Sequence, residues 1–195
     1  MSAPRKYHHG DLPAALIRAS FELLAAEGLN GFSVAAVARR LGVSAAAPYR
    51  HFKDRGSLLS AVSAAAARDL RTAITAAAAA AGPGPADRFA AAAAAYVTFV
   101  ARTGAGMNVI FAADLYAVTD PDRTAATRAL TTVMLDLTTA TGRRPIGESL
   151  RLLESMIAVA HGFTSLYTDG FWRRAGRPVT DVADAAADAA RALLS

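Results

Sequence analysis

Apolar positions recur at helical spacing, and no stretch alternates as a strand would. Leu12, Leu16, Ala19 and Leu23 share one face of a first helix. Its predicted start is near Asp11, an N-cap type residue with Pro13 in the first turn, and its stop is Gly28. Ser33 can cap a second helix reaching about Arg40, Gly42 supplies a turn, and Ser44 can cap a third. Asp54 then opens a fourth helix carrying Leu58, Leu59, Val62 and Leu70. The alanines of 76–81 prolong it until Gly82-Pro83-Gly84-Pro85 break it. Such a helix of about 27 residues spans roughly 40 Å. Five further helices are predicted, over about 86–103, 106–117, 121–141, 147–170 and 179–194. No repeat of fixed period is present, and the alanine-rich stretches read as helix.

The second and third helices, joined by a tight glycine turn, have the layout of a DNA-reading helix-turn-helix, so double-stranded DNA is the expected partner. Val37, Leu41, Val43 and Phe52 are spaced to form the small core that sets the angle between the helices. Gly42 can adopt the positive φ such a turn needs. Ser33 and Ser44 fall at helix N-termini, where free N–H groups and the helix dipole favour phosphate oxygens. Tyr49, His51, Lys53 and Arg55 supply groups that hydrogen-bond or neutralise a phosphate backbone.

Composition sharpens this picture. Of 195 residues 53% are hydrophobic, but many are alanine, a strong helix former with little bulk, so the expected fold class is all-α. The formal charge is +5, and residues 1–55 hold eight cations against four anions, which concentrates positive charge where DNA is expected. Cysteine is absent, which excludes disulfides and thiolate metal sites. No apolar signal segment follows the basic start, and the run 89–101 is too short to span a bilayer. A cytoplasmic location without membrane association is expected. Arginine outnumbers lysine, present only as Lys6 and Lys53, which suggests a bacterial genome rich in G and C.

Residues 11–62 resemble the N-terminal domain of the TetR family of bacterial transcriptional regulators. The resemblance rests on the apolar first helix, Phe32-Ser33, Val37-Ala38, Leu41-Gly42-Val43-Ser44, Tyr49-Arg50-His51-Phe52, Asp54-Arg55 and Leu58-Leu59. It implies phosphate contacts by Tyr49, His51 and Arg55. The chain departs from the family at Ala35, where an arginine often reaches a base, and at the groove-facing Ala45-Ala46-Ala47. Methyl groups pack on thymine methyls but read no donor–acceptor pattern. Pro48 lacks an N–H and disfavours helix at Ala47, so the recognition helix should be short or begin late. Specificity therefore shifts toward Ser44, Arg50 and the basic arm of residues 1–10, whose Arg5 and Lys6 suit a narrow A·T-rich minor groove.

The resemblance also implies a homodimer, built through helices 147–170 and 179–194 and reading a palindromic operator. Leu150, Leu153, Ile157 and Phe163 give one apolar face; Val182, Ala186, Ala189, Leu193 and Leu194 give a narrow, small-residue one. Residues 63–195 are the expected effector-binding and dimerisation unit. The stretch 156–172, with Ala160-His161-Gly162-Phe163, resembles the C-terminal domain of one branch of the family. A cavity is expected after Gly82, with Phe99, Met107, Phe111, Tyr116, Met134, Met156, His161 and Tyr167 as candidate lining, each also readable as core. The scarcity of interior charges favours a small, apolar effector that releases a repressor from its operator.

Two alternatives stand beside this reading. One is DNA binding without a small-molecule effector, constitutive or controlled by a protein partner. The other is an enzyme, for which His8-His9 with Asp11 and the pair Asp184 and Asp188 are the available groups. No triad order, phosphate loop, metal-binding HExxH or cofactor motif accompanies them.

Overall fold

A computed structural model describes residues 12–195, apart from the side chain of Arg173. Arg5, Lys6, the rest of the 1–10 arm and the Asp11 cap lie outside the described residues. Those described form α-helices and short 3-10 turns without a strand. The α-helices are α1 (Leu12–Glu27), α2 (Val34–Leu41), α3 (Arg55–Ala80), α4 (Pro85–Thr103), α5 (Met107–Ile110), α6 (Pro121–Thr139), α7 (Ile146–Thr168), α8 (Phe171–Arg174) and α9 (Val179–Ala192).

Local chemistry accounts for most boundaries. Gly28 ends α1 with φ +67, and its N–H bonds the carbonyl of Leu24. Asp54 and Ser57 form a reciprocal capping box at the start of α3. At 26 residues, α3 is about 39 Å long. Pro85 occupies the first turn of α4, where its missing N–H costs nothing.

The long helix α3 ties the molecule together. Leu58, Leu59 and Val62 near its start pack with Leu16, Leu23 and Val37 of the N-terminal unit. Leu70, Ile74 and Ala78 belong to the same continuous core as Phe89, Leu130 and Met156. Polar side chains brace the sides: Ser63 donates to the carbonyl of Ile110, Ser60 to the Asp120 carboxylate at 2.7 Å, and Arg68 pairs with Asp122.

One predicted helix is not there. Residues 106–117 divide into α5, a break at Phe111 and a 3-10 turn over Ala113–Leu115. Of the backbone groups that a continuous helix would use, the Ile110 carbonyl is taken by a side chain from elsewhere, and other side chains hold the ends of the stretch. Ser63 takes the carbonyl of Ile110, Arg123 takes those of Leu115 and Val118, and the Tyr96 hydroxyl accepts the N–H of Met107. A second difference is α8, a four-residue helix that is not among the predicted ones.

Candidate DNA-reading surface

The reading unit is α1, α2 and the segment from Gly42 to α3. Ser33 is extended and its hydroxyl accepts the N–H of Ala36, which starts α2. Gly42, at φ +69, turns the chain out of α2 while its N–H bonds the carbonyls of Ala38 and Arg39. A side chain in that conformation would be strained, so the turn depends on glycine.

The segment after the turn is not a regular α-helix. Residues 45–47 form a turn, and Pro48–Arg50 form a single 3-10 turn. Pro48 has no N–H to offer the carbonyl of Ser44, and that carbonyl instead accepts the N–H of Ala47 at 3.0 Å. The expected Ser44 side-chain cap is therefore absent, because no α-helical turn begins there to be capped. Buried Pro48 anchors the segment, and its carbonyl accepts the N–H groups of His51 and Phe52 at 2.9 Å.

Most of the predicted DNA-contacting side chains stand in solvent. Ser33, Ser44, Ala45, Ala46, Arg50, His51 and Lys53 are exposed, and Tyr49 is 55% exposed, too open for a packing role. Ala47 is half-buried. Val37 is the fully buried member of the predicted small core; Leu41 and Phe52 pack on it from half-buried positions. Arg55 is half-buried and already partnered. Its Nε donates to the carbonyl of Phe32 at 3.2 Å, its Nη1 to Asp114 at 2.7 Å, and its guanidinium lies over the Phe32 ring. Arg40 is bonded to Glu22 of α1 at 3.2 Å. Neither acidic partner had a local signal in the sequence, since each pairing joins residues far apart in the chain. The Asp54 carboxyl is held below its ordinary range, first by the N–H of Ser57.

The eight predicted ligand-lining residues do not share one cavity. Phe99, Met134 and Met156 are buried in the core. Tyr167 lies half-buried in a small cluster with Phe163, Trp172 and Val182. Met107 and His161 are half-buried, whereas Phe111 and Tyr116 are exposed. Space exists elsewhere. A cavity of about 310 Å³ lies between α3, α4 and α6, and an alanine-lined one of about 510 Å³ between α3, α4 and α9 touches Phe99. A cleft of about 370 Å³ containing His161 lies where α1, α4 and α7 end.

The narrow face of α9 is largely spent inside the subunit, with Val182, Ala183 and Ala186 buried in a cluster with Val97 of α4. Ile146, Leu150 and Leu166 of α7 and Phe171 of α8 are exposed apolar side chains.

The family model described as bacterial regulatory proteins, tetR family, matches residues 16–62. A bacterial regulatory protein in the tetR family from Rhodococcus RHA1 is 25% identical over 94% of this chain and 96% of its own, with a TM-score of 0.62. The chain belongs to the tetR family. Another relative of this tetR protein, a protein with unknown function from Rhodococcus sp. RHA1, is 30% identical, with a TM-score of 0.72 over 97% of this chain and 98% of its own. A tetR-family transcriptional regulator from Streptomyces coelicolor shares the fold at 21% identity, with a TM-score of 0.64 over 93% of this chain and 79% of its own. No curated protein matches the sequence. The tetR chain is accordingly a DNA-binding transcriptional regulator. Among its described residues no helix is long and apolar enough to cross a membrane, and no cluster of metal-ligating side chains occurs.

Proposed function

We propose that this regulator is a cytoplasmic repressor that binds a palindromic operator as a homodimer and is released by a small ligand. Residues 11–62 read the DNA, with the arm of residues 1–10 adding Arg5 and Lys6 in the minor groove. Residues 63–195 dimerise and receive the effector; their Ala160-His161-Gly162-Phe163 is the resemblance on which we assign them to the branch of the family with that C-terminal domain. The observation that carries the reading is the cluster of exposed groups from Ser44 to Lys53, held by buried Pro48 and Val37 at the start of a helix that runs on through the body. A single such unit makes too little contact to select an operator, and a dimer reading two half-sites supplies the rest. Ile146 and Leu150 near the start of α7 and Leu166 near its end are apolar side chains left uncovered for the partner. An apolar ligand has room between α3, α4 and α9, against Phe99 and the alanines around it.

Release follows from linkage. A ligand that prefers a dimer with wrongly spaced reading heads lowers operator affinity by its differential binding, typically about 5–150-fold. Selection of bound DNA from a random-sequence library at near-physiological salt tests the reading. One palindromic motif is expected. Salt-sensitive binding with no enriched motif would reduce the protein to a non-specific DNA binder, and failure to bind would remove the regulatory reading.

A further inference from the structure

The cleft at the ends of α1, α4 and α7 belongs to neither the reading surface nor the apolar cavities. It is about 370 Å³, within the range of small-molecule sites, and is lined by Leu24, Ala25, Ala26 and Gly28 from the reading unit and by residues of the body. Those of the body include Asn108, His161, Thr164, Ser165 and Asp169. Three helices present their C-terminal ends to it, α1 ending at Glu27, α4 at Thr103 and α7 at Thr168. Each carries the partial negative charge of its last carbonyls, and the dipoles add to the Asp169 carboxylate.

Little described positive charge offsets this field. The last turns of α1 and α7 contain no basic residue. Arg102, in the last turn of α4, lies over the Phe99 ring and lines the cavity between α3, α4 and α9 instead. Among the described side chains no lysine or arginine lines the cleft.

His161 adds direction. Its Nδ1 is 2.8 Å from the Tyr96 hydroxyl, which also accepts the N–H of Met107 at 3.0 Å. Because the Met107 N–H already occupies an acceptor site of the Tyr96 hydroxyl, we assign the hydroxyl proton to Nδ1, an arrangement that satisfies both side chains. The imidazole proton then sits on Nε2, as a donor for an acceptor atom.

We infer that this cleft is a site for a small organic cation bearing a hydroxyl or carbonyl, with its ammonium at Asp169 and the helix ends and its oxygen at His161 Nε2. This is a ligand class separate from the apolar effector proposed above. The site spans a seam with no slack. A Cβ on Gly104 would lie 2.4 Å from the Leu24 carbonyl carbon and 2.5 Å from the Ala25 nitrogen. A ligand seated beside that contact bears on α1 and the body together, and we take it to favour a setting of α1 against α4 other than the DNA-binding one. On the regulator reading, its occupancy therefore lowers DNA affinity.

The test uses the full chain with glucosamine, ethanolamine and choline as probes, and glucose and ethylene glycol as neutral counterparts. Calorimetry and thermal unfolding without DNA report binding. At least one amine is expected to raise Tm by about 5 °C at saturation. Asp169→Asn is expected to weaken that amine at least about tenfold, and His161→Phe to weaken ethanolamine more than ethylamine, the same amine without the oxygen. The site is overturned if no amine binds at up to about 10 mM, if a neutral counterpart binds equally well, or if Asp169→Asn changes nothing. A separate titration on the selected operator reads regulation. A fall in DNA affinity of about fivefold or more supports the coupling, and unchanged affinity with amine bound overturns it. Should the protein select no DNA, the regulator reading fails by itself, while calorimetry still decides the site.

Discussion

Arg55 and Asp114, 59 residues apart, are joined at 2.7 Å, and the pairing ties the start of α3 to the 3-10 turn after α5. Arg55 is one of three side chains from which the family resemblance implies a phosphate contact, so the carboxylate and DNA compete for it. Both groups are partly exposed, and the pair contributes at most about 1 kcal/mol to stability. Asp114→Ala should leave Tm almost unchanged and tighten DNA binding a few-fold at low salt, with the gain shrinking as salt rises. A salt titration of affinity in both proteins checks this; weaker binding by the variant would show that Asp114 positions Arg55 for DNA.

Gly104 and Gly42 share nearly the same backbone conformation, φ +65 and +69, but not the same surroundings. A Cβ at Gly42 meets nothing within 4 Å, whereas at Gly104 it meets the backbone of α1. Gly42→Ala should cost about 1 kcal/mol, from strain alone. Gly104→Ala should cost about 2–5 kcal/mol, because overlap with the backbone of Leu24 and Ala25 adds to the strain. Chemical denaturation of the two variants compares them directly, and equal losses would mean that the seam yields freely.

The Asp120 carboxyl is held below its ordinary value, chiefly by the hydrogen bond from buried Ser60. A depressed folded value stabilises the protein above the unfolded value, near pH 4, and is lost as pH falls through the folded one. Ser60→Ala should cost about 1 kcal/mol at neutral pH and flatten the loss of stability below about pH 4. Parallel acid-limb curves for the two proteins would contradict this.

Tyr96 shifts the opposite way. Its folded value of about 12 lies above the unfolded value of about 10, so its contribution is complete below pH 10 and declines between the two. Tyr96→Phe should cost about 1–3 kcal/mol by leaving the Met107 N–H without its acceptor. The variant should also lack this alkaline decline. Ultraviolet titration of phenolate alongside stability from pH 9 to about 12 tests both expectations.

Leu150 and Leu166 expose apolar surface on α7, at 42% and 44%. Replacing both with glutamate should leave the subunit folded and convert a dimer to a monomer, because two buried charges per subunit would have no partner in the interface. Light scattering after size exclusion gives the mass, and a dimer that survives would place the interface elsewhere.

Much of the reading unit was legible because its signals are local. A serine at an extended position before an apolar run, a glycine at a tight turn, an aspartate three residues before Ser57 and a Gly-Pro pair each act within a few residues. The structure bears them out at Ser33, Gly42, Asp54 and 82–85. Pro48 was equally plain, since a missing N–H alters the turn wherever the rest of the chain lies. The helix expected over 106–117 failed for the opposite reason. Its residues have no strong breaker; the donor that takes a mid-helix carbonyl is Ser63 of α3, and Tyr96 and Arg123 hold the two ends.

By itself, then, the sequence determined the all-helical architecture, the turn that presents the reading surface and the positive charge of residues 1–55, because period, capping and charge are properties of neighbouring residues. The tertiary structure alone decided which apolar residues became core, that Arg55 met Asp114, and that three helix ends converged beside His161. Those outcomes depend on which helices pack together, and packing joins side chains by shape and burial without regard to their distance along the chain.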